Sequence, residues 1–289
     1  MPESCILCHG PSPRLKLYAS DLLYQSQDIY PIFECRGCGL LCTSLPGNHP
    51  PPRYPEDYYH QLAVHGGTRA TPPGGLFAER LKSLNRFKVG GRILDVGCGD
   101  GGFLSALKRA GWEAFGTEID DAIVHALRRQ GLEIYGGKLP ELQLPQGSFD
   151  AITYFGSFEH VDQPLDELEA AKRILRKDGL LLLNLTNADS LEARIFGPRW
   201  MGYEAPRHRF NYTAQTFRLM VTSKGFQLLT MDIRNDDFIT SFSLVYGLGL
   251  RSRYSTVEKP LRWLLKPIHY ITRRFNQGNV FEVAARPVA

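Results

Sequence analysis

The sequence predicts an α/β protein: a Rossmann-like sheet of seven strands with helices on both faces, preceded by a small metal-stapled module. Three observations carry this. Strand-like and helix-like stretches alternate regularly from Arg92 onward, an apolar strand runs straight into a glycine-rich turn in ILDVGCGDGGF, and two Cys-x-x-Cys pairs stand near the start of the chain. Alternation of this kind gives a sheet covered on both faces, with ligands at the carboxyl ends of its strands. A chain of 289 residues with 43% hydrophobic content can bury one full core plus an appended module.

Residues 1–45 are expected to form a zinc ribbon. Cys5-x-x-Cys8 and Cys35-x-x-Cys38 are each followed almost at once by glycine, as CHG and CGL. Two-residue spacing lets both thiolates of a pair bind one tetrahedral ion, and the glycine opens the backbone so that amides can point at sulfur. The ion is then structural Zn2+, because so short a module cannot hold a core of its own. Disulfides or a redox pair are the alternative, disfavoured because MPESCILCHG lacks the basic start and apolar run of a secretion leader. His9 is expected to be a bystander, and Cys42 and Cys98 are left over. The aromatic residues Tyr18, Tyr24, Tyr30 and Phe33, with few basic neighbours, favour packing over phosphate contacts.

Residues 46–75, dense in proline and glycine, read as an extended linker with Tyr54, Tyr58 and Tyr59 as anchors. A helix follows from Leu76 to Phe87, with Leu76, Arg80, Leu81, Leu84 and Phe87 as a stripe at helical spacing. Strands are expected near Ile93, Glu113, Ile134, Ala151, Leu181, Gln227 and Phe281, within a domain covering 76–289.

The turn Gly97-x-Gly99-x-Gly101 is the floor of a nucleotide or nucleoside pocket, and a helix starting near Gly102 turns its free N–H groups toward the ligand. Glu118 ends the next strand, about 20 residues on, where a ribose-binding acid belongs. The spacing is not the G-x-G-x-x-G of dinucleotide sites, and Asp95 and Asp100 would repel a pyrophosphate. They suit a ligand with an ammonium and a sulfonium group, which is S-adenosylmethionine.

The segments LDVGCGDGGF, GTEID, GSFDAITYFGSFEHV and RILRKDGLLLLNLTN, in this order, resemble the class I S-adenosylmethionine-dependent methyltransferases, and most nearly the small-molecule enzymes of the ubiquinone-biosynthesis type. The resemblance covers about Phe77 to Phe226 and returns near Asn279 to Arg286. It implies that Asp95 and the loop Gly97, Cys98, Gly99 and Gly101 surround the methionine end, that Glu118 holds the ribose, and that Leu139 lies against adenine. Ile119 and Phe155 complete this expected cofactor set.

Two places qualify for acceptor chemistry. The first is FGSFEHV after the fourth strand, where Glu159 and His160 are candidates for proton handling or metal binding. The Asn/Asp/Ser-Pro-Pro-aromatic motif of base-amine methyltransferases is absent there, which leaves oxygen or carbon as the acceptor atom. The second is a lid insertion, 187–213, with Arg194, Arg199, Trp200, Tyr203, Arg207, His208 and Arg209. Trp200, Tyr203, Arg207 and Arg209 are the candidate substrate contacts, since aromatic rings stack and arginines pair with anions. Its W...PRHRF pattern resembles a segment of a broad methyltransferase group that also carries zinc knuckles. His208 is the candidate general base, being able to take a hydroxyl proton near neutrality.

The expected acceptor is therefore a small-molecule, glycan or lipid-linked hydroxyl compound, with an anionic group to meet the arginines. An RNA methyltransferase using the ribbon to bind RNA is the alternative, argued against by a net charge of only +4. A cofactor-binding scaffold without activity is another. A C-terminal amphipathic segment, 240–275, carries Leu261, Leu264, Leu265, Ile268 and Ile271 beside Arg262, Lys266, Arg273 and Arg274; it is expected to pack on the lid or to touch an anionic membrane surface. No run of residues suits a membrane span, so a cytoplasmic location, or a peripheral one at the membrane surface, is expected. Oligomeric state leaves no mark on the sequence.

Overall fold

The structure, a computed structural model, describes residues 4–10, 13–23, 28–45, 76–247 and 265–288. The linker 46–75 and the residues Tyr24, Leu261, Arg262 and Leu264 lie outside the described residues. Three short strands open the chain: β1 (Arg14–Ser20), β2 (Ile29–Glu34) and β3 (Leu41–Thr43). Then come α1 (Leu76–Asn85), β4 (Gly91–Val96), α2 (Gly102–Arg109), β5 (Trp112–Glu118), α3 (Asp121–Arg129), β6 (Glu133–Gly136), β7 (Phe149–Phe155), α4 (Pro164–Ile174) and β8 (Leu175–Thr186). The remainder is α5 (Leu191–Phe196), β9 (Phe210–Asn211), α6 (Ala214–Ser223), β10 (Phe226–Arg234), α7 (Asp237–Gly247) and β11 (Val280–Pro287).

The main sheet has seven strands in the order β10-β11-β8-β7-β4-β5-β6, and only β11 runs against the others. All seven strand positions expected from the sequence are in it. Alternation of side chains decides which residues face which helices. Leu94, Ile152, Leu181, Leu183 and Leu185 pack with α4 and α6 on one face. Ile93, Ala151, Leu180 and Leu182 pack with α1, α2 and α3 on the other. The unbroken leucine run in β8 is thus a strand buried on both sides.

The chain order moves from β4 outward to β6 and then returns to β7 on the opposite side of β4. The carboxyl ends of β4 and β7 therefore flank a topological switch point, where open α/β sheets leave a crevice for ligands.

A second sheet of four strands has the order β1-β2-β3-β9. Its last strand is not part of the N-terminal module: β9 belongs to the lid and pairs antiparallel with β3. Ala19, Leu22, Leu23, Ile32 and Leu41 share a buried cluster with Trp200, Met201, Tyr203 and Phe242. The ribbon and the lid are thereby one packed body.

Helix α1 ends two residues before the expected Phe87, because the N–H groups of Phe87 and Lys88 both turn back to the Leu84 carbonyl. Residues 265–274 are helical, but only part of the expected apolar face turns inward. Leu265, His269 and Thr272 are buried, whereas Ile268, Tyr270 and Ile271 point outward. His269 explains this: its ring bonds Thr240 Oγ1 at 2.8 Å and pairs with Asp237 at 2.8 Å, so a polar network fixes the inner face. Among the described residues no helix is long and apolar enough to cross a membrane.

Candidate cofactor and acceptor site

The turn after β4 is shaped by sterics before any ligand is considered. Gly97 has φ 70°, and a Cβ there would stand 2.7 Å from Ser157 Cβ in the turn after β7. Ser157 in turn donates to the Val96 carbonyl at 2.6 Å, so the two loops that flank the switch point lock together. Gly101 is left-handed, with φ 73°, and the first N–H of α2, that of Gly102, donates to Asp100 Oδ1 at 3.0 Å.

Glu118 is buried and ties this loop to the end of β5. Its Oε2 accepts from Gly99 N–H at 3.1 Å, and its Oε1 from Ile119 and Asp120 N–H at 2.8 and 3.2 Å. Ile119 beside it is half exposed, on the rim. Cys98 is buried and fills the space over Gly116, and burial pushes its thiol pKa up, which makes it a packing residue. Leu139, expected against adenine, is fully buried within the hydrophobic core.

Asp95 is buried at the heart of the site and accepts a 2.6 Å bond from Thr153 Oγ1. Burial raises its pKa to about 6, with Thr153 and Arg80 acting in the opposite direction. Arg80 of α1 was counted by the sequence within an apolar stripe. In the structure its guanidinium lies over the Phe155 ring at 4.7 Å, with Phe103 at 5.6 Å and Phe77 at 5.7 Å. It brings a cation to the end of the crevice where Asp95 and Asp100 bring anions, so this end can receive a zwitterion.

On the other side of the crevice, a 3-10 turn from Phe158 to His160 follows β7. Glu159 points inward: Oε1 accepts the Thr186 N–H at 2.8 Å, and burial pushes its pKa up. His160 and His208 meet ring to ring, centroids 4.6 Å apart at 67°. Burial, with His208 next in weight, pulls the His160 pKa down to about 3, so this ring is neutral. Glu204, which the sequence reading passed over, lies between the lid and both rings. Burial alone would raise its pKa, but His208 and Arg207 bring it down to about 2.

The four expected substrate contacts fall into two groups. Trp200 and Tyr203 are 1% and 4% exposed and meet edge to face at 5.0 Å in the interior between ribbon and lid. Arg207 is buried, donating to both oxygens of Asp21 at 2.8 Å and to Glu204 Oε1 at 3.0 Å. The interior claims these three because an aromatic pair and a guanidinium between two acids are what close the lid over the small sheet. Arg209 differs: it stands 3.8 Å from Asp162, and its buried Nε and Nη1 make no hydrogen bond among the described residues.

The four cysteines of the ribbon converge. Cys5 and Cys38 Sγ are 3.6 Å apart, Cys8 and Cys35 Sγ 3.4 Å, and all four lie within 4.8 Å of one another. Zn–S bonds of about 2.3 Å in a tetrahedron set sulfurs about 3.8 Å apart, so the donor set fits a single ion. The two knuckles are closed alike: Cys5 N–H bonds the Gly10 carbonyl and Cys35 N–H the Leu40 carbonyl. His9 and Gly39 occupy the same left-handed place in each, with φ 55° and 80°. That place turns the His9 side chain to solvent, away from the sulfurs.

Comparison with known proteins agrees with this geometry. A family model described as a methyltransferase domain matches residues 71–231, over half of the chain. Ubiquinone biosynthesis O-methyltransferases are among its relatives: that of Xanthomonas oryzae pv. oryzae is 30% identical over 133 residues, 43% of this chain and 56% of the relative. The one from a Ruegeria species is 32% identical over 173 residues, covering 53% and 69%. The chain thus spans about half the length of the first of these relatives. Among solved structures, an S-adenosylmethionine-dependent methyltransferase from Archaeoglobus fulgidus superposes with TM-score 0.56 at 18% identity, over 80% of this chain and all of the other. One from Thermotoga maritima, described as a possible histamine N-methyltransferase, gives 0.55 at 16% over 80% and 95%, a likeness of fold alone. With its switch-point loop, its seven-stranded sheet and these relatives, the chain belongs to the methyltransferase-domain family, as a class I S-adenosylmethionine-dependent methyltransferase by fold.

Proposed function

We propose that the protein transfers the methyl group of S-adenosylmethionine to a hydroxyl oxygen of a small-molecule, glycan or lipid-linked acceptor bearing an anionic group. The observation that carries this is the division of the crevice: carboxylates and a glycine loop on the β4–β5 side, a histidine pair on the β7 side. Glu118 would hold the ribose, Asp95 the positively charged methionine end, and Arg80 the methionine carboxylate. When bound, the cofactor supplies the reactive methyl group, and the chain supplies alignment for in-line displacement.

His208 is the group that acts on the acceptor. Its Nδ1 lies 2.9 Å from the Gly202 carbonyl, which can only accept, so the neutral ring carries its proton there and presents the Nε2 lone pair. Arg209 would hold the acceptor's anionic group. The O-methyltransferase names of the sequence relatives support oxygen as the acceptor atom. Arg14 and Lys16 of the small sheet are both paired with Glu34, which argues against RNA.

The test is incubation with methyl-labelled cofactor and separate pools of phenols, hydroxy acids, sugar nucleotides, lipid extract and RNA. Label in an alkali-stable ether of a hydroxyl compound supports the reading; label in RNA alone, or in none, overturns it. With the acceptor in hand, His208→Ala is expected to lower kcat about 100-fold or more with little change in cofactor affinity. Retained turnover would remove His208 from this role.

Cofactor affinity should also follow pH. Ionised Asp95 attracts the ligand's positive charge and the protonated acid does not, so affinity rises with pH through about 6 and levels off above it. Calorimetry between pH 5 and 8 with Asp95→Asn as reference checks this; a flat profile in the unaltered protein contradicts it.

A further inference from the structure

His160, Glu204 and His208 come from two separate segments, the turn after β7 and the lid, yet a donor atom from each lies within 4.8 Å of the other two. We propose that these three residues form a site for a divalent transition-metal ion, distinct from the four-cysteine centre of the ribbon.

The geometry of His208 is the first argument. With its proton held at Nδ1 by the Gly202 carbonyl, its Nε2 lone pair meets Glu204 Oε2 at 3.5 Å. A protonated ring makes this contact an ion pair, but it is well beyond the roughly 2.7–2.9 Å of a charge-assisted hydrogen bond. Two ligands each about 2.1 Å from one tetrahedral ion stand about 3.4 Å apart. The observed separation is that of two ligands of one cation.

The surroundings are the second argument. The other oxygen of Glu204 accepts from Arg207 Nε at 3.0 Å, and Arg207 is gripped in turn by Asp21. Two carboxylates thus surround one guanidinium, and these three groups sum to a net negative charge. Ligating imidazoles and carboxylates are commonly oriented in this way, by a carbonyl behind the ring and a donor behind the acid. The ring of His160, edge to face with that of His208, brings a second nitrogen to the same point.

Two imidazoles and one carboxylate suit zinc, iron, manganese or nickel, in place of magnesium or calcium, which prefer all-oxygen sites. Three protein ligands leave a coordination position for water or another oxygen. His160 and Glu204 are partly buried and His208 is buried. The functional part of this inference rests on the methyl-transfer reading: the open position would take the acceptor oxygen and the cation would favour its deprotonation, with His208 Nε2 then serving as a ligand in place of a base.

The test is titration of the full chain, its ribbon loaded with zinc, with Co2+ in the absence of methyl donor and acceptor. A second equivalent is expected, with the absorption of nitrogen and oxygen ligation and without thiolate charge transfer. His160→Ala and Glu204→Gln should each weaken it at least about tenfold while the ribbon zinc content stays unchanged. No second equivalent in the unaltered protein, or equal affinity in both variants, overturns the site. Because binding is read without turnover, its outcome is independent of whether methyl transfer to a hydroxyl is found.

Discussion

Glu118→Ala is expected to weaken binding of S-adenosylmethionine by about 100-fold or more, read by calorimetry. The carboxylate would do more than accept hydrogen bonds from a ribose. It accepts from the backbone N–H groups of Gly99, Ile119 and Asp120, and so holds the loops after β4 and β5 in one arrangement. Hydrogen bonds to a charged group contribute about 1.5–3 kcal/mol each, and every 1.4 kcal/mol is about tenfold in affinity. Losing a single ribose contact would cost tenfold; releasing the loop raises the loss further. Glu118→Gln, which keeps an acceptor for one of the loops, should fall between. Unchanged affinity in the alanine variant would sink the ribose assignment.

Cys8→Ser is expected to abolish stoichiometric zinc and to lower methyl transfer at least about 100-fold, although no cysteine of the ribbon lies in the crevice. The route is structural. Thr43 of β3 donates its Oγ1 to the His208 carbonyl at 2.7 Å and its N–H to the Arg209 carbonyl at 3.0 Å, while Asp21 holds Arg207. Structural zinc is worth about 10–16 kcal/mol to small modules of this kind, so without it β1 to β3 have no support of their own. The lid then loses the partner that sets His208 opposite His160. Metal analysis and the labelled-methyl assay check this. Full turnover by zinc-free protein would show that the ribbon does not position the lid.

The main sheet was legible because its signals are local. A strand was expected near Leu181 and is there, and the Gly97 loop with Glu118 is a short segment whose spacing reflects backbone sterics. The cysteine pairs were legible for the same reason, each knuckle closing on its own glycine. The lid was not. Trp200, Tyr203 and Arg207 have the composition of a ligand-binding segment, and only the fold reveals that Asp21, almost two hundred residues earlier in the chain, takes Arg207. Arg80 was hidden differently: at helical spacing it fits an apolar stripe, and the three rings that receive it come from separate elements. Glu204 carried no signal, since its turn is not a helix and its relation to His208 depends on the lid's path. Long-range pairing of polar groups is what a single sequence conceals most.

The pairing of β3 with β9 also sets an order of assembly. The ribbon is synthesised before the main domain, and its four cysteines lie within 34 residues of one another. Its sheet cannot be finished until Phe210 and Asn211 have been made, because Leu41 and Cys42 pair with them across about 170 residues. Closing so long a loop has an entropic cost that only the main domain, once folded, makes small by bringing both ends near. The small sheet, begun before the main domain, is therefore completed after it, and the lid reaches its place over the crevice only at that step.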